Sequence, residues 1–88
     1  MPTRNVEIHN PSGLHARPAT KFAEAARRFH SRVTVHKGNE KVDGKNIMEM
    51  LLLAAPAGTV LRLEVEGEDA EDCLEQLTAV LQAPSQDA

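Results

Sequence analysis

Val60-Leu61-Arg62-Leu63-Glu64-Val65-Glu66, followed at once by Gly67-Glu68-Asp69-Ala70, carries the clearest structural signal in the chain. Leu61, Leu63 and Val65 alternate with Arg62, Glu64 and Glu66, the two-residue period of a strand with one face buried and one in water. Asp69 then stands where a helix N-cap belongs. Behind it Ala70, Cys73, Leu74, Leu77, Val80 and Leu81 fall at helical spacing. Strands that hide one face fit an antiparallel sheet with helices packed on one side.

The same pattern extends toward the N-terminus. Val6 and Ile8 alternate with Asn5, Glu7 and His9, and Val33 and Val35 mark a second strand. Gly38-Asn39 turns that strand back into a short third one around Val42. Asn10-Pro11-Ser12-Gly13 punctuates a loop. A helix follows from Ala16 to about Phe29, with Pro18 in its first turn, where a missing N–H costs nothing. Its apolar face is Ala19, Phe22, Ala23, Ala26 and Phe29, and His30 beyond it is expected to lie against the last carbonyls. A short second helix begins at Asn46-Ile47-Met48-Glu49, with Asn46 as N-cap and Glu49 three residues on, close to a capping box. Ala55-Pro56-Ala57-Gly58 ends it, and the tail Pro84-Ser85-Gln86-Asp87-Ala88 is expected to fray. The predicted order is β-α-β-β-α-β-α, an α+β fold whose four-stranded antiparallel sheet carries helices on one face.

Eighty-eight residues make a single domain over residues 1–88. The only aromatic residues are Phe22 and Phe29, which argues against recognition of stacked bases and hence against nucleic acid as partner. Cys73 is the single cysteine, so no internal disulfide forms, and the thiol suits a reducing, cytoplasmic setting. No apolar run approaches the roughly 20 residues of a membrane span, and Met1-Pro2-Thr3-Arg4 opens no apolar signal stretch. Residues 1–45 hold nine Lys/Arg against four Asp/Glu, and residues 46–88 hold one against nine. Such halves usually fold so that the two signs share a surface. The six acids from Glu64 to Asp72 are expected to form a solvated rim with a helix N-cap. His9, His30 and His36 are scattered without metal-ligand spacing, so no metal and no cofactor is expected. Cys73 lies on the apolar stripe of the last helix as a packed core thiol.

Ser12-Gly13-Leu14-His15-Ala16-Arg17-Pro18-Ala19 is the stretch that carries chemistry. It puts His15 at the N-cap of the first helix and Arg17 two residues later. A helix supplies no internal acceptor for its first N–H groups, here those of Ala16 and Arg17. An anion on the His15 ring therefore meets oriented donors and the positive end of the helix dipole. Arg17 adds a fixed cation whose planar fork suits phosphate oxygens. A neutral imidazole can carry a phosphoryl group covalently. The plainer alternative is that His15 only caps the helix and Arg17 is a solvated charge.

Gly13-Leu14-His15-Ala16-Arg17-Pro18-Ala19 resembles the active-site signature of the HPr family, the histidine-containing phosphocarriers of the bacterial phosphoenolpyruvate:sugar phosphotransferase system. The likeness continues in Gly44-Lys45-Asn46-Ile47-Met48, Pro56-Ala57-Gly58-Thr59 and Glu66-Gly67-Glu68-Asp69, and spans about residues 4–82. It implies an open-faced β-sandwich with three helices on one face. It also implies a role in sugar transport: enzyme I phosphorylates Nδ1 of His15, Arg17 steadies the phosphoryl group, and a sugar-specific enzyme IIA receives it. Such a chain is a carrier without turnover of its own, and a monomer. The family's partner-binding surface falls on Ile47, Met48 and Leu51, and Arg27 on the first helix is a further candidate for an acidic partner. Many members carry a regulatory serine where this chain has Asn46, which keeps the cap but offers no hydroxyl. A nitrogen-regulatory relative of the carrier is an alternative reading. So is a regulatory module that binds an anion at the helix N-terminus without covalent chemistry.

Overall fold

A computed structural model describes residues 2–11 and 13–82. Ser12, Met1 and residues 83–88 lie outside it, including the tail expected to fray. The elements run β1 (Thr3–Glu7), α1 (Ala16–Arg27), β2 (Arg32–Lys37), β3 (Glu40–Asp43), α2 (Ile47–Leu52), β4 (Val60–Glu66) and α3 (Ala70–Gln82). The four strands form one antiparallel sheet in the order β1-β4-β2-β3. The strand with the clearest alternation is thus an inner one, with Leu63 opposite both Arg4 and Val35.

The alternating apolar residues all turn to one side. Val6, Val33, Val35, Leu61, Leu63 and Val65 are buried there against Phe22 of α1 and Leu74 and Leu77 of α3. Thr3, Asn5, Glu7, Arg32, Arg62 and Glu66 are exposed on the other strand positions. The sheet is covered by helices on one face and open on the other. Basic and acidic halves meet across it. Arg4 reaches α3, donating to Thr78 Oγ1 at 3.3 Å with its other terminal nitrogen 3.7 Å from Glu75. On the open side His36 Nε2 lies 2.8 Å from Glu64 Oε1, and that hydrogen bond holds the Glu64 carboxyl below its ordinary value.

Several local expectations give way to longer-range partners. α1 closes at Arg27, because the N–H groups of Arg28 and Phe29 turn back to Ala25 and Ala26 at 3.2 Å each. The Phe29 carbonyl then accepts from Lys45 Nζ at 2.9 Å, and the exposed His30 is joined to Asp69 through its backbone N–H. Glu49 does not complete the capping box. The Asn46 N–H is already bonded to Asp43 O at 3.1 Å, so Glu49 Oε1 accepts from the Asp43 N–H instead, at 2.9 Å. Asn46 does cap α2, its side chain accepting from the Glu49 N–H at 3.0 Å.

Asp69 holds the N-cap position of α3, its carbonyl accepting from the Cys73 N–H at 3.0 Å, but its carboxylate binds the α1–β2 loop. Its Oδ2 accepts from the His30 N–H at 2.8 Å, and its Oδ1 accepts from both the N–H and the hydroxyl of Ser31. The carboxylate clasps the α1–β2 loop to the β4–α3 loop, and the Ser31 side chain is buried under it. The Ser31 hydroxyl, then the His30 N–H, holds the Asp69 carboxyl below the usual carboxylate range. A carboxyl held low in the folded state stabilises the fold above its unfolded-state value, and that contribution disappears as pH falls through the folded-state value. Thermal melts should therefore show Tm falling below about pH 4. Asp69→Asn should melt lower at neutral pH and fall less steeply in acid. An Asp69→Asn variant with the same acid slope as the parent would show that the clasp is not the source.

Cys73 is fully buried, and burial pushes its thiol up to about 11. At neutral pH it is an inert core thiol. Among the described residues no helix is long and apolar enough to cross a membrane.

Candidate functional site

The β1–α1 loop is anchored before it delivers His15. The Gly13 N–H donates to Asn10 O at 2.8 Å, and the Leu14 N–H donates to Ala55 O at 2.7 Å. The Leu14 side chain is buried in the core. Gly13 has φ 73°, and a Cβ there would stand 2.7 Å from Ala55 O and 2.9 Å from Pro56 Cα. Both are backbone atoms and cannot swing away, so only glycine lets the loop lie against residues 55–57.

His15 comes next, at the N-cap of α1, with φ −110° and ψ −165°. Its carbonyl accepts from the Ala19 N–H at 2.9 Å, the first bond of the helix, while its side chain makes no capping hydrogen bond. That decides against a capping histidine: the half-buried imidazole sits at the helix end without serving it. The first turn of α1 holds no acidic residue of its own to offset the positive end of the dipole. Arg17 is exposed one residue into the helix, beside Ala16. Pro18 is buried, locking the first turn where it needs no N–H.

The second candidate surface is α2. The end of α1 is tied to the start of α2, where Arg27 donates from Nε to Lys45 O at 2.7 Å. Arg27 is exposed but ten residues beyond Arg17, about 15 Å along the axis, and its Nε is committed to tying α1 to the start of α2. Met48 is 66% exposed and Leu52 75%, and their spacing of four puts them on one stripe. Ile47 is half-buried beside them, and the half-buried Leu51 packs against the core. Leu52, absent from the sequence reading, thus belongs to the patch, while Leu51 only edges it. The i, i+4 relation to Met48 is the one signal in the sequence that could have found it.

The sequence pattern describing the phosphorylation site of the HPr component of the phosphotransferase system matches residues 2–83. The chain belongs to the HPr family. It is 42% identical over 81 residues to the phosphocarrier protein HPr of Neisseria meningitidis serogroup A, covering 92% of this chain and 91% of that one. It is also 42% identical over 82 residues to the HPr-like protein Crh of Bacillus subtilis, covering 93% and 96%. The crystal structure of HPr-C-His from Thermoanaerobacter tengcongensis superposes with a TM-score of 0.88 at 40% identity, over 92% of this chain and 91% of that chain. The HPr fold, an open four-stranded antiparallel sheet with three helices in the order β-α-β-β-α-β-α, is the one read from the sequence.

Proposed function

We propose that this chain, as a single domain, carries phosphoryl groups on His15, receiving them from phosphorylated enzyme I and delivering them to a sugar-specific enzyme IIA. The observation that carries this reading is the His15 imidazole at the N-cap of α1 with no capping bond of its own. On this reading a ring nitrogen attacks the phosphorus held by enzyme I, and the enzyme I side chain leaves as the bond to His15 forms. The phosphoryl oxygens then face the positive end of α1 and the N–H groups of Ala16 and Arg17. The Arg17 guanidinium offsets the charge that remains. Transfer onward reverses the step on the acceptor's nucleophile. The chain has no turnover of its own, needs no cofactor and works in the cytoplasm, where its one thiol stays reduced.

Docking on this reading is apolar at its centre, through Met48 with Ile47 and the edge of Leu51, with Arg27 and Arg17 toward an acidic partner. The surface is complete within one chain, so a monomer suffices, and sedimentation at twice 9.6 kDa would contradict that. Met48→Asp places a charge that must be desolvated on binding. It should raise the KM for enzyme I by about tenfold or more, and leave the lifetime of the phosphorylated chain unchanged. Parental KM in Met48→Asp would move the docking surface elsewhere. Asn46 caps α2 without a hydroxyl, so an ATP-dependent kinase finds no acceptor there. The test of carrier against non-covalent anion binder is intact mass after incubation with enzyme I and phosphoenolpyruvate. A gain of one acid-labile phosphoryl group supports the carrier, and an unchanged mass supports the binder.

A further inference from the structure

α2 has six residues and no basic residue in its last turn, yet its C-terminus is tied down from outside. Lys37, the last residue of β2, reaches across with Nζ 2.9 Å from Leu53 O and a longer 3.5 Å from Ala54 O. Between them the chain takes a costly conformation: Ala54 has φ 51°, the one described non-glycine residue in the left-handed region. That turn aims two successive carbonyls at one ammonium. The very next carbonyl, Ala55 O, accepts the Leu14 N–H at 2.7 Å, and Leu14 is the residue before His15. Gly13 lies against the same backbone, within what a Cβ would fill.

We infer that Lys37 is a positioning residue for the phosphoryl acceptor: its ammonium holds the left-handed turn at Ala54, which sets Ala55 O, which sets Leu14 and so His15. The inference rests on the phosphocarrier reading of His15 and adds a residue that lies on β2, outside both the β1–α1 loop and α2. The carbonyls at the end of α2 carry the negative end of its dipole, and a cation placed on them stabilises the turn in one arrangement. Without it Ala54 is released toward ordinary backbone angles, and the acceptor of the Leu14 N–H moves with it. Small misplacements of a reacting group are costly, because transfer requires an in-line approach.

The experiment compares the parent, Lys37→Met and Lys37→Arg by two readouts. The first is hydrogen exchange of the Leu14 amide, with the Val65 amide of β4, bonded to Pro2 O just before β1, as reference. The second is phosphoryl transfer from enzyme I, resolved into saturating rate and KM. In Lys37→Met the Leu14 amide should exchange about tenfold faster, with Val65 unchanged. The saturating rate should drop about tenfold, with KM within about twofold of the parent. Lys37→Arg keeps a cationic donor and should restore most of both. If Lys37→Met is too unstable to study, Lys37→Gln, whose amide ends short of the two carbonyls, carries the same expectations. Parental Leu14 exchange, an effect confined to KM, or no rescue by arginine would overturn the inference. The exchange readout involves no phosphate. Phosphate acceptance by His15→Ala would overturn the carrier reading while leaving the Lys37–Ala54–Leu14 linkage to be judged by exchange alone.

Discussion

His15→Ala is expected to abolish phosphoryl acceptance from enzyme I and to leave the fold as it is. The first half follows from chemistry. Alanine has no nucleophile, and among neighbouring side chains Arg17 is a cation with no lone pair to attack phosphorus. The second half follows from geometry. A residue whose side chain caps its helix costs about 0.5–2 kcal/mol when replaced by alanine, but the His15 side chain makes no such bond. The change should therefore stay within about 0.5 kcal/mol, as for an ordinary surface substitution. Urea melts of the two proteins should overlay while the variant's mass stays unchanged after incubation with enzyme I and phosphoenolpyruvate. A variant that accepts phosphate at a rate near the parent's would remove His15 from the mechanism.

Gly67→Ala should have the largest effect on stability. Gly67 has φ 154°, and a Cβ there would stand 2.6 Å from Ser31 Cα and 2.8 Å from Ser31 Cβ. Ser31 cannot withdraw, because Asp69 holds both its N–H and its hydroxyl and the side chain is fully buried. Backbone strain and overpacking together should cost roughly 2–6 kcal/mol. A chain this size has only about 4–13 kcal/mol of net stability to lose. The variant should melt far below the parent, with folded phosphoryl acceptance surviving at low temperature, since the Asp69–Ser31 clasp and His15 lie at opposite ends of α1. A loss under about 1 kcal/mol would mean that the two loops part easily.

Much of this was legible in the sequence, and the rest was hidden for definite reasons. β4 could be read because Leu61, Leu63 and Val65 bury one face over seven residues, long enough for a period of two to repeat. α1 and α3 run 12 and 13 residues, so their apolar stripes show which side is covered. α2, at six residues, completes fewer than two turns. Its Leu51-Leu52-Leu53 run has no phase of its own, which is why the exposed leucine was missed. Asp69 stands at the N-cap of α3 as read, but a sequence displays local bonds and not where the carboxylate goes. Its actual partners, His30 and Ser31, are 39 and 38 positions away. The same holds for Lys45 on Phe29 O and Lys37 on Leu53 O, each 16 residues distant. The β1–α1 loop was the legible part of the candidate site, because glycine, histidine and proline each mark a specific backbone requirement within six residues.

The central claim is that His15 takes the phosphoryl group covalently. The measurement that tests it most directly is phosphopeptide mapping of the wild-type chain, kept alkaline after incubation with enzyme I and phosphoenolpyruvate, with a parallel sample brought to acid. The account predicts one phosphoryl group per chain, located on His15 and lost in acid. A phosphate that survives acid on a serine or threonine, or a chain that gains no mass at all, would contradict it.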